Sequence, residues 1–166
     1  MLMDKSVSYL TFYIGDKEYA LPTMKIQTIF DILGTKEIDS EVHFMKGVAL
    51  KETGVLPVVD LGRILGISDN QPSESSSVVL ANFNLSGKIF KIGLIVDMVT
   101  SVLSINKKLV ADSVRNNSLS VPKEIEAVVT DKCQKIYLLN TESLFSENDL
   151  LDLYIEVKKF LGIELG

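Results

Sequence analysis

The stretch GVALKETGVLPVVDLGRIL, residues 47–65, decides how the rest of the chain is read. It holds two short apolar runs, Val48–Leu50 and Val55–Val59, split by the polar step Lys51-Glu52-Thr53-Gly54. β-Branched residues suit a pleated surface and a glycine tolerates turn conformations, so the stretch predicts a β-hairpin. Pro57 lacks the N–H that a ladder needs, which predicts a strand at a sheet edge or at a bulge. Asp60 then stands where a carboxylate caps a helical turn, with Leu61, Ile64 and Leu65 at helical spacing and Gly66 as the stop. The unit is strand, turn, strand, cap and one turn of helix. None of its residues suggests catalysis.

At 166 residues the chain is long enough for one domain, or two small lobes sharing a core. Its 46% apolar and 23% charged residues are ordinary globular values, which sets aside disorder and fibrous classes. A net charge of −5 argues against a nucleic-acid partner, because phosphate recognition wants a basic stripe. Apolar runs fall well short of the roughly 20 residues that span a bilayer, and Met1-Leu2-Met3-Asp4-Lys5 lacks a signal-peptide core. One cysteine, Cys133, excludes an internal disulfide. The expectation is a cytoplasmic protein without direct membrane insertion.

Around the deciding hairpin the chain reads mainly as β-structure. Tyr9–Ile14 alternates, with Leu10, Phe12 and Ile14 on one face, and reads as a half-buried strand. Glu18–Leu21 returns beyond Gly15-Asp16-Lys17. Met24–Phe30 is open between a helical turn and a strand, with Ile26, Ile29 and Phe30 as an apolar face. Gly34–Glu41 reads as loop and His43–Leu50 as the first strand of the hairpin. Ser68–Ser77 is too polar to repay ordering and reads as a solvated connector. Val78–Leu85 and Lys88–Val96 flank a Ser86-Gly87 turn, and Val99–Ile105 continues as a strand. Lys107–Pro122 is a second loop. Ile125–Thr130 and Lys135–Leu139 form a last hairpin. Asn148–Leu161 alone has a sustained helical period, with Ser146 and Asp149 placed as a capping box.

An internal repeat organises these elements. Leu56–Leu65 aligns with Ile136–Phe145 at an offset of 80, placing cap residue Asp60 on Asn140. Phe12 matches Phe83 at an offset of 71, and Ile26 and Ile29 match Val99 and Val102 at 73. The chain divides into pseudo-equivalent lobes of about 9–67 and 78–146, each a small barrel, followed by the C-terminal helix.

Chemistry-bearing arrangements are scarce. His43 is the single histidine and reads as structural, and Cys133 sits in a turn without a second Cys or a His beside it. No phosphate-binding loop, dinucleotide fingerprint or nucleophile elbow occurs. Asp60 and Asp97 follow apolar runs, where each would cap backbone N–H groups. No catalytic residue, metal ligand or cofactor is expected. Surplus apolar residues at the lobe openings (Ile26, Val78, Val99 and Val102) are candidates for a groove along the lobe seam, open to a partner's amphipathic helix or absorbed as plain core.

The ordered motifs F-x-I-G-D-K-E-Y-A-L-P at 12–22, K-I-Q-T-I at 25–29, F-x-K-G-V at 44–48, V-L-P-V-V-D-L at 55–61, I-G-L-I-V-D-x-V at 92–99 and S-V-L at 101–103 resemble CheW, the chemotaxis coupling family. The resemblance runs from about Ser8 to Leu151. It implies a CheW-like domain over 8–146, built as two intertwined five-stranded SH3-like barrels, with a C-terminal helix over 147–163. It also implies a non-catalytic adaptor between chemoreceptors and the regulatory domain of a CheA-type histidine kinase, recruited to membrane-associated arrays. Carried over by motif, the receptor groove would comprise Ile26, Gly47, Val78, Val79, Gly93, Val99 and Val102, with the glycines admitting a partner's backbone. The family's characteristic Glu/Arg pair is altered. Thr28 stands at the glutamate position and Glu52 at the arginine position, or Lys51 if the register shifts by one. The usual proline before K-G-V is missing. The alternative reading is a divergent scaffold of the same fold that binds another partner or self-associates through its C-terminal helix.

Overall fold

The computed structural model describes residues 6–52, 54–67, 72–106, 108, 110 and 122–162. Its strands are β1 (Ser6–Ile14), β2 (Lys17–Pro22), β3 (Ile26–Asp31), β4 (Thr35–Glu37), β5 (Met45–Lys51), β6 (Gly54–Asp60), β7 (Ser77–Leu85), β8 (Lys88–Val96), β9 (Met98–Asn106), β10 (Ile125–Asp131) and β11 (Gln134–Leu139). Two helices are described over their full length, the single turn α1 (Leu61–Ile64) and the long α2 (Glu147–Phe160), and residues 108 and 110 are also helical.

The strands form two sheets, one in the order β10-β11-β2-β1-β9 and one in the order β3-β7-β8-β6-β5-β4. Each sheet takes two strands from the other half of the sequence. β1 and β2 join β9–β11, while β7 and β8 join β3–β6. The exchange is sealed at two parallel junctions, Val58–Asp60 along Gly93–Ile95 and Ile136–Leu138 along Glu18–Ala20. The repeat makes these one junction used twice, since β6 corresponds to β11 and β8 to β2. The fold is mainly β, consistent with a pair of SH3-like barrels and a C-terminal helix.

Burial follows from this topology. Val58, Val78, Ile95 and Ala49 form a small core inside one sheet, and Tyr9, Ala20, Ala127, Val129, Ile136 and Leu138 form its counterpart. Between the sheets lies a larger shared core that includes Phe12, Leu21, Val48, Val59, Leu94, Leu139 and Leu153. β1 is therefore buried on both faces, not half-buried. Leu10 and Phe12 enter the shared core while Tyr9 enters a barrel. Alternation alone does not reveal this, because Thr11, wholly buried, is polar. Its hydroxyl is satisfied by the carbonyl of Ser101 at 3.2 Å.

Local signals account for most element ends. The Ser86-Gly87 turn takes positive φ at both positions (51° and 80°), the geometry of a two-residue hairpin. α2 carries the complete capping box, Ser146 Oγ accepting from Asp149 N–H at 3.0 Å and Asp149 Oδ2 accepting from Ser146 N–H at 2.9 Å. Three segments differ from the sequence reading. Met24–Phe30 resolves as a 3₁₀ turn, Thr23–Lys25, and then strand β3. Within the expected loop 34–41, Thr35–Glu37 pairs with Gly47–Ala49 as β4. The hairpin strand starts at Met45, not His43. Pro57 lies in an interior strand, but one residue before the ladder with β8 begins at Val58, so no bond is lost there. Of the expected loops 68–77 and 107–122, residues 68–71, 107, 109 and 111–121 lie outside the described residues, Ser77 already belongs to β7, and 108 and 110 are helical.

The caps report the repeat most directly. Asp60 Oδ1 accepts from Gly62 N–H at 3.0 Å, and Asn140 Oδ1 accepts from Glu142 N–H at 3.1 Å. The backbone N–H of each cap residue donates at 2.8 Å to the equivalent carbonyl, Phe44 for Asp60 and Glu124 for Asn140. Asp60 differs in charge. Its Oδ2 is buried without a hydrogen-bond partner, facing Arg63 Nε at 3.6 Å. Burial raises its pKa, and Arg63 only partly opposes the shift.

A raised carboxyl pKa means that the fold favours the neutral acid. The favourable contribution is full in acid and is lost as pH rises through the folded-state pKa. Asp60→Asn, neutral at every pH and matching Asn140, is expected to equal or exceed the wild-type melting temperature at pH 7. The difference should shrink on acidification. Asp60→Ala, which loses the cap, should cost about 1 kcal/mol. Thermal melts across pH check both, and an Asn variant less stable at neutral pH than in acid, relative to wild type, contradicts the assignment.

Candidate functional site: the seam margin between two edge strands

β3 ends one sheet and β9 ends the other, and each follows a hairpin at the same place in its repeat. Register fixes which side chains share a face. Ile26 is opposite Ala81 and Ile29 opposite Val79, while Val99 is opposite Phe12 and Val102 opposite Leu10. All four partners belong to the shared core. Cross-strand neighbours project to the same side. Ile26, Ile29, Val99 and Val102 therefore face the shared core from the strands where that core runs out.

Burial grades across this margin. Ile26 and Val99 are partly buried and pack on the shared core, whereas Ile29 is 41% exposed and Val102 61%. Two more apolar side chains on the same segments are open to solvent, Met24 in the 3₁₀ turn and Met98 at the start of β9. The sequence reading passed over both methionines, which belong to no alternating pattern. The turn at 14–16 is pinned to the β9 entry by Asp97, whose Oδ2 accepts from Gly15 N–H at 2.7 Å.

The other expected groove residues are elsewhere. Val78 lies in the core of the six-stranded barrel and Val79 in the shared core, both without exposed surface. Gly47 and Gly93 are buried, and the space beside each is filled by this chain itself. A Cβ on Gly47 would sit 2.1 Å from the Lys36 carbonyl oxygen of β4, and one on Gly93 2.7 Å from Val78 Cγ1. A close approach does require glycine at both positions, but the approaching groups are intramolecular.

Thr28 and Glu52, the altered family pair, are both exposed and sit apart from this margin. Thr28 is opposite Leu80, on the barrel side of β3 with Phe30. The tip of the β5–β6 hairpin reaches the same place through Lys51, whose ammonium lies 3.7 Å from the centre of the Phe30 ring. The two segments that a Glu/Arg pair would join are joined here by a cation–π contact. His43 and Cys133 stay apart from each other and from this margin, the first meeting the Phe44 ring edge-on and the second exposed. Among the described residues no group of three His, Cys, Asp or Glu side chains is placed to hold a metal ion, and no helix is long and apolar enough to cross a membrane.

Comparison with known proteins agrees with this geometry. The family model for the CheW-like domain matches residues 8–149. The chain belongs to the CheW-like family. A probable chemotaxis protein CheW of Rhizobium etli is 24% identical over 140 residues, covering 84% of this chain and 88% of that protein. The chemotaxis protein CheW of Thermotoga maritima is 25% identical over 143 residues, covering 86% and 90%. Among solved structures, the scaffolding protein CheW of Thermoanaerobacter tengcongensis superposes with a TM-score of 0.69 at 21% identity, covering 87% of this chain and 95% of that one. At that identity the superposition speaks for the fold.

The structural role of Gly47 is open to a direct check. Gly47→Ala should destabilise the protein by about 3 kcal/mol or more, because the obstruction is backbone and cannot rotate away. Gly54→Ala places its Cβ in open space and should cost only the strain of φ +133°. Denaturant melts showing equal losses for the two would refute the close-packing account of Gly47.

Proposed function

We propose that this protein is a non-catalytic chemotaxis adaptor that couples chemoreceptors to a CheA-type histidine kinase. The observation that carries the reading is the CheW-like match over residues 8–149 on a fold with a paired apolar margin. An adaptor needs surface rather than reactive groups, and Ile29, Met98 and Val102 are surplus to the core in the sense that matters for recognition: apolar and exposed. Scattered exposed apolar residues mean little, but Ile29 and Val102 lie on two equivalent edge strands and face one seam, with Met98 exposed on the other face of β9.

On this reading the receptor's helical tip lies against the seam margin. Ile26 and Val99 form its floor and Ile29 and Val102 its walls, a helix-in-groove mode. Val78, Val79, Gly47 and Gly93 act from beneath by setting the spacing of the strands that carry the margin. Kinase contact belongs to the barrel ends, where Thr28, Lys51 and Glu52 replace the family's charged pair. The protein would act in the cytoplasm and be recruited to receptor arrays without inserting into the membrane.

Val102→Asp tests the margin with little risk to the fold, since the side chain is 61% exposed. It should weaken binding of a soluble receptor-tip fragment at least tenfold and leave the affinity for the kinase regulatory domain unchanged. Val99→Asp is a less clean probe because Val99 also packs on the shared core. Isothermal titration with both fragments decides the matter. Failure of the wild-type protein to bind either fragment at tens of micromolar would defeat the coupling reading, and an unaltered receptor affinity in Val102→Asp would defeat the margin.

A further inference from the structure

A cleft of about 560 Å³ opens between the β1–β2 turn, the chain just after α1 and the β10–β11 hairpin. Its walls include Ile14, Tyr19, Leu65, Ile67, Ile125 and Tyr137. The repeat identifies the equivalent place in the other half. At offsets of 71 and 80, Tyr19 corresponds to Phe90, Leu65 to Phe145 and Tyr137 to Pro57. That second place is filled, and α2 fills it. Tyr154 meets the Phe90 ring edge-on with centroids 5.1 Å apart, and Leu150, Leu153 and Val157 enter the core beside it. α2 also packs against β6, the strand equivalent to β11.

The two halves part company at one residue. Where the second repeat has Ser146, which caps α2 and sends the chain along the cleft, the first has Gly66 with φ +79°. That conformation stops a helix, and Ile67 N–H closes back on the Gly62 carbonyl at 2.7 Å. Among the described residues the first cleft therefore has the walls of a helix groove but no helix that occupies it.

We propose that this cleft docks an amphipathic helix of a partner protein. Its ligand pattern is the one α2 shows, apolar at i, i+3, i+4 and i+7 with an aromatic at i+4 to meet Tyr19. Two differences between the clefts suit a visiting helix over a resident one. The Tyr19 and Tyr137 rings, one buried and one half-buried, lie tilted with centroids 5.5 Å apart and bring hydroxyls to the lining, and Glu124 stands where the filled cleft has Phe44. Lys17, over the Tyr137 ring at 5.4 Å, adds a cation at the mouth. Wetter, partly polar linings mark interfaces that form and dissociate. The inference is independent of the receptor margin, which lies on different strands.

The probe is a fluorescein-labelled peptide copying residues 146–161, titrated into the intact protein and followed by anisotropy. Saturable binding on the order of 100 µM or tighter is expected. Ile67→Asp and Tyr137→Ala should each weaken it at least tenfold, and Leu33→Asp, distant from the cleft, should leave it unchanged. In the wild-type protein the peptide should shift the amide resonances of Gly15 and Gly66 and spare that of Phe90, a reading that needs no variant to fold. Absence of saturable binding overturns the proposal. So does binding that shifts Phe90 and ignores both substitutions, since the peptide has then displaced α2. Self-association of the protein that is abolished by Ile67→Asp would assign the cleft to a second copy and overturn it as well.

Discussion

The two parallel junctions, β6 on β8 and β11 on β2, constrain everything else in this molecule. A parallel pair cannot be closed by a tight turn, so each junction joins strands distant in sequence. Because every barrel borrows its neighbour's first hairpin, neither half can complete a sheet alone. The shared core is the consequence, lying between two sheets that already interlock, and it takes side chains from β1, β2, β5–β8, α1, β10, β11 and α2. Folding must establish these long-range pairings before most apolar surface is buried, which favours slow and strongly cooperative formation. A rigid frame of this kind also holds the two edge strands at a fixed separation.

Within that frame the departures from symmetry are informative. One barrel end is closed by a polar network. Glu18 accepts from the Thr100 hydroxyl at 2.8 Å and from the Gln134 amide at 2.9 Å, and Gln134 also donates to the Tyr13 hydroxyl at 2.7 Å. These bonds tie β1, β2, β9 and β11 at the barrel end around the buried Glu18, with Thr100 and Gln134 at the surface, and directional bonds specify geometry more sharply than apolar packing does. At the corresponding end of the other barrel Ile89 and Gly54 replace Glu18 and Gln134, and Lys51 resting on Phe30 is the contact that closes it. One end is locked by directional bonds and the other by a single adaptable cation. The adaptable end carries Thr28 and Glu52.

Much of this was legible in the residues. The deciding hairpin, the Asp60 cap, the α2 capping box and the offset of 80 are local or self-referential signals, and local signals survive without knowledge of the fold. The exchange of hairpins between barrels was not readable from periodicity, because swapping which sheet a strand joins leaves its alternation intact. It came only through the family resemblance. β4 escaped because Thr35-Lys36-Glu37 is polar on both faces and is a strand only by pairing with β5. For the candidate site, Ile26, Val99 and Val102 were found as surplus apolar residues in lobe openings. Val78 looked alike in sequence yet sits at zero exposure, since surplus can be judged only once both cores have been counted.

Gly47 and Gly93 sharpen that last point. Both lie in motifs by which the family is recognised, and the first explanation for a glycine in a binding protein is room for a partner. Here the room is taken by Lys36 of β4 and by Val78. A residue whose side chain would strike its own backbone is constrained by the fold whatever the protein binds. Motifs of this kind therefore identify the frame and are silent about what docks on it. Partner choice has to reside in side chains the frame leaves free to vary. On this chain the side chains left free are the exposed members of β3 and β9 and the tip of the β5–β6 hairpin, where Lys51 lies on the Phe30 ring. A cation–π contact tolerates more angles than a bidentate ion pair. The hairpin on which the reading of the sequence began is thus fixed at its base by Gly47 and Asp60 and least committed at its tip.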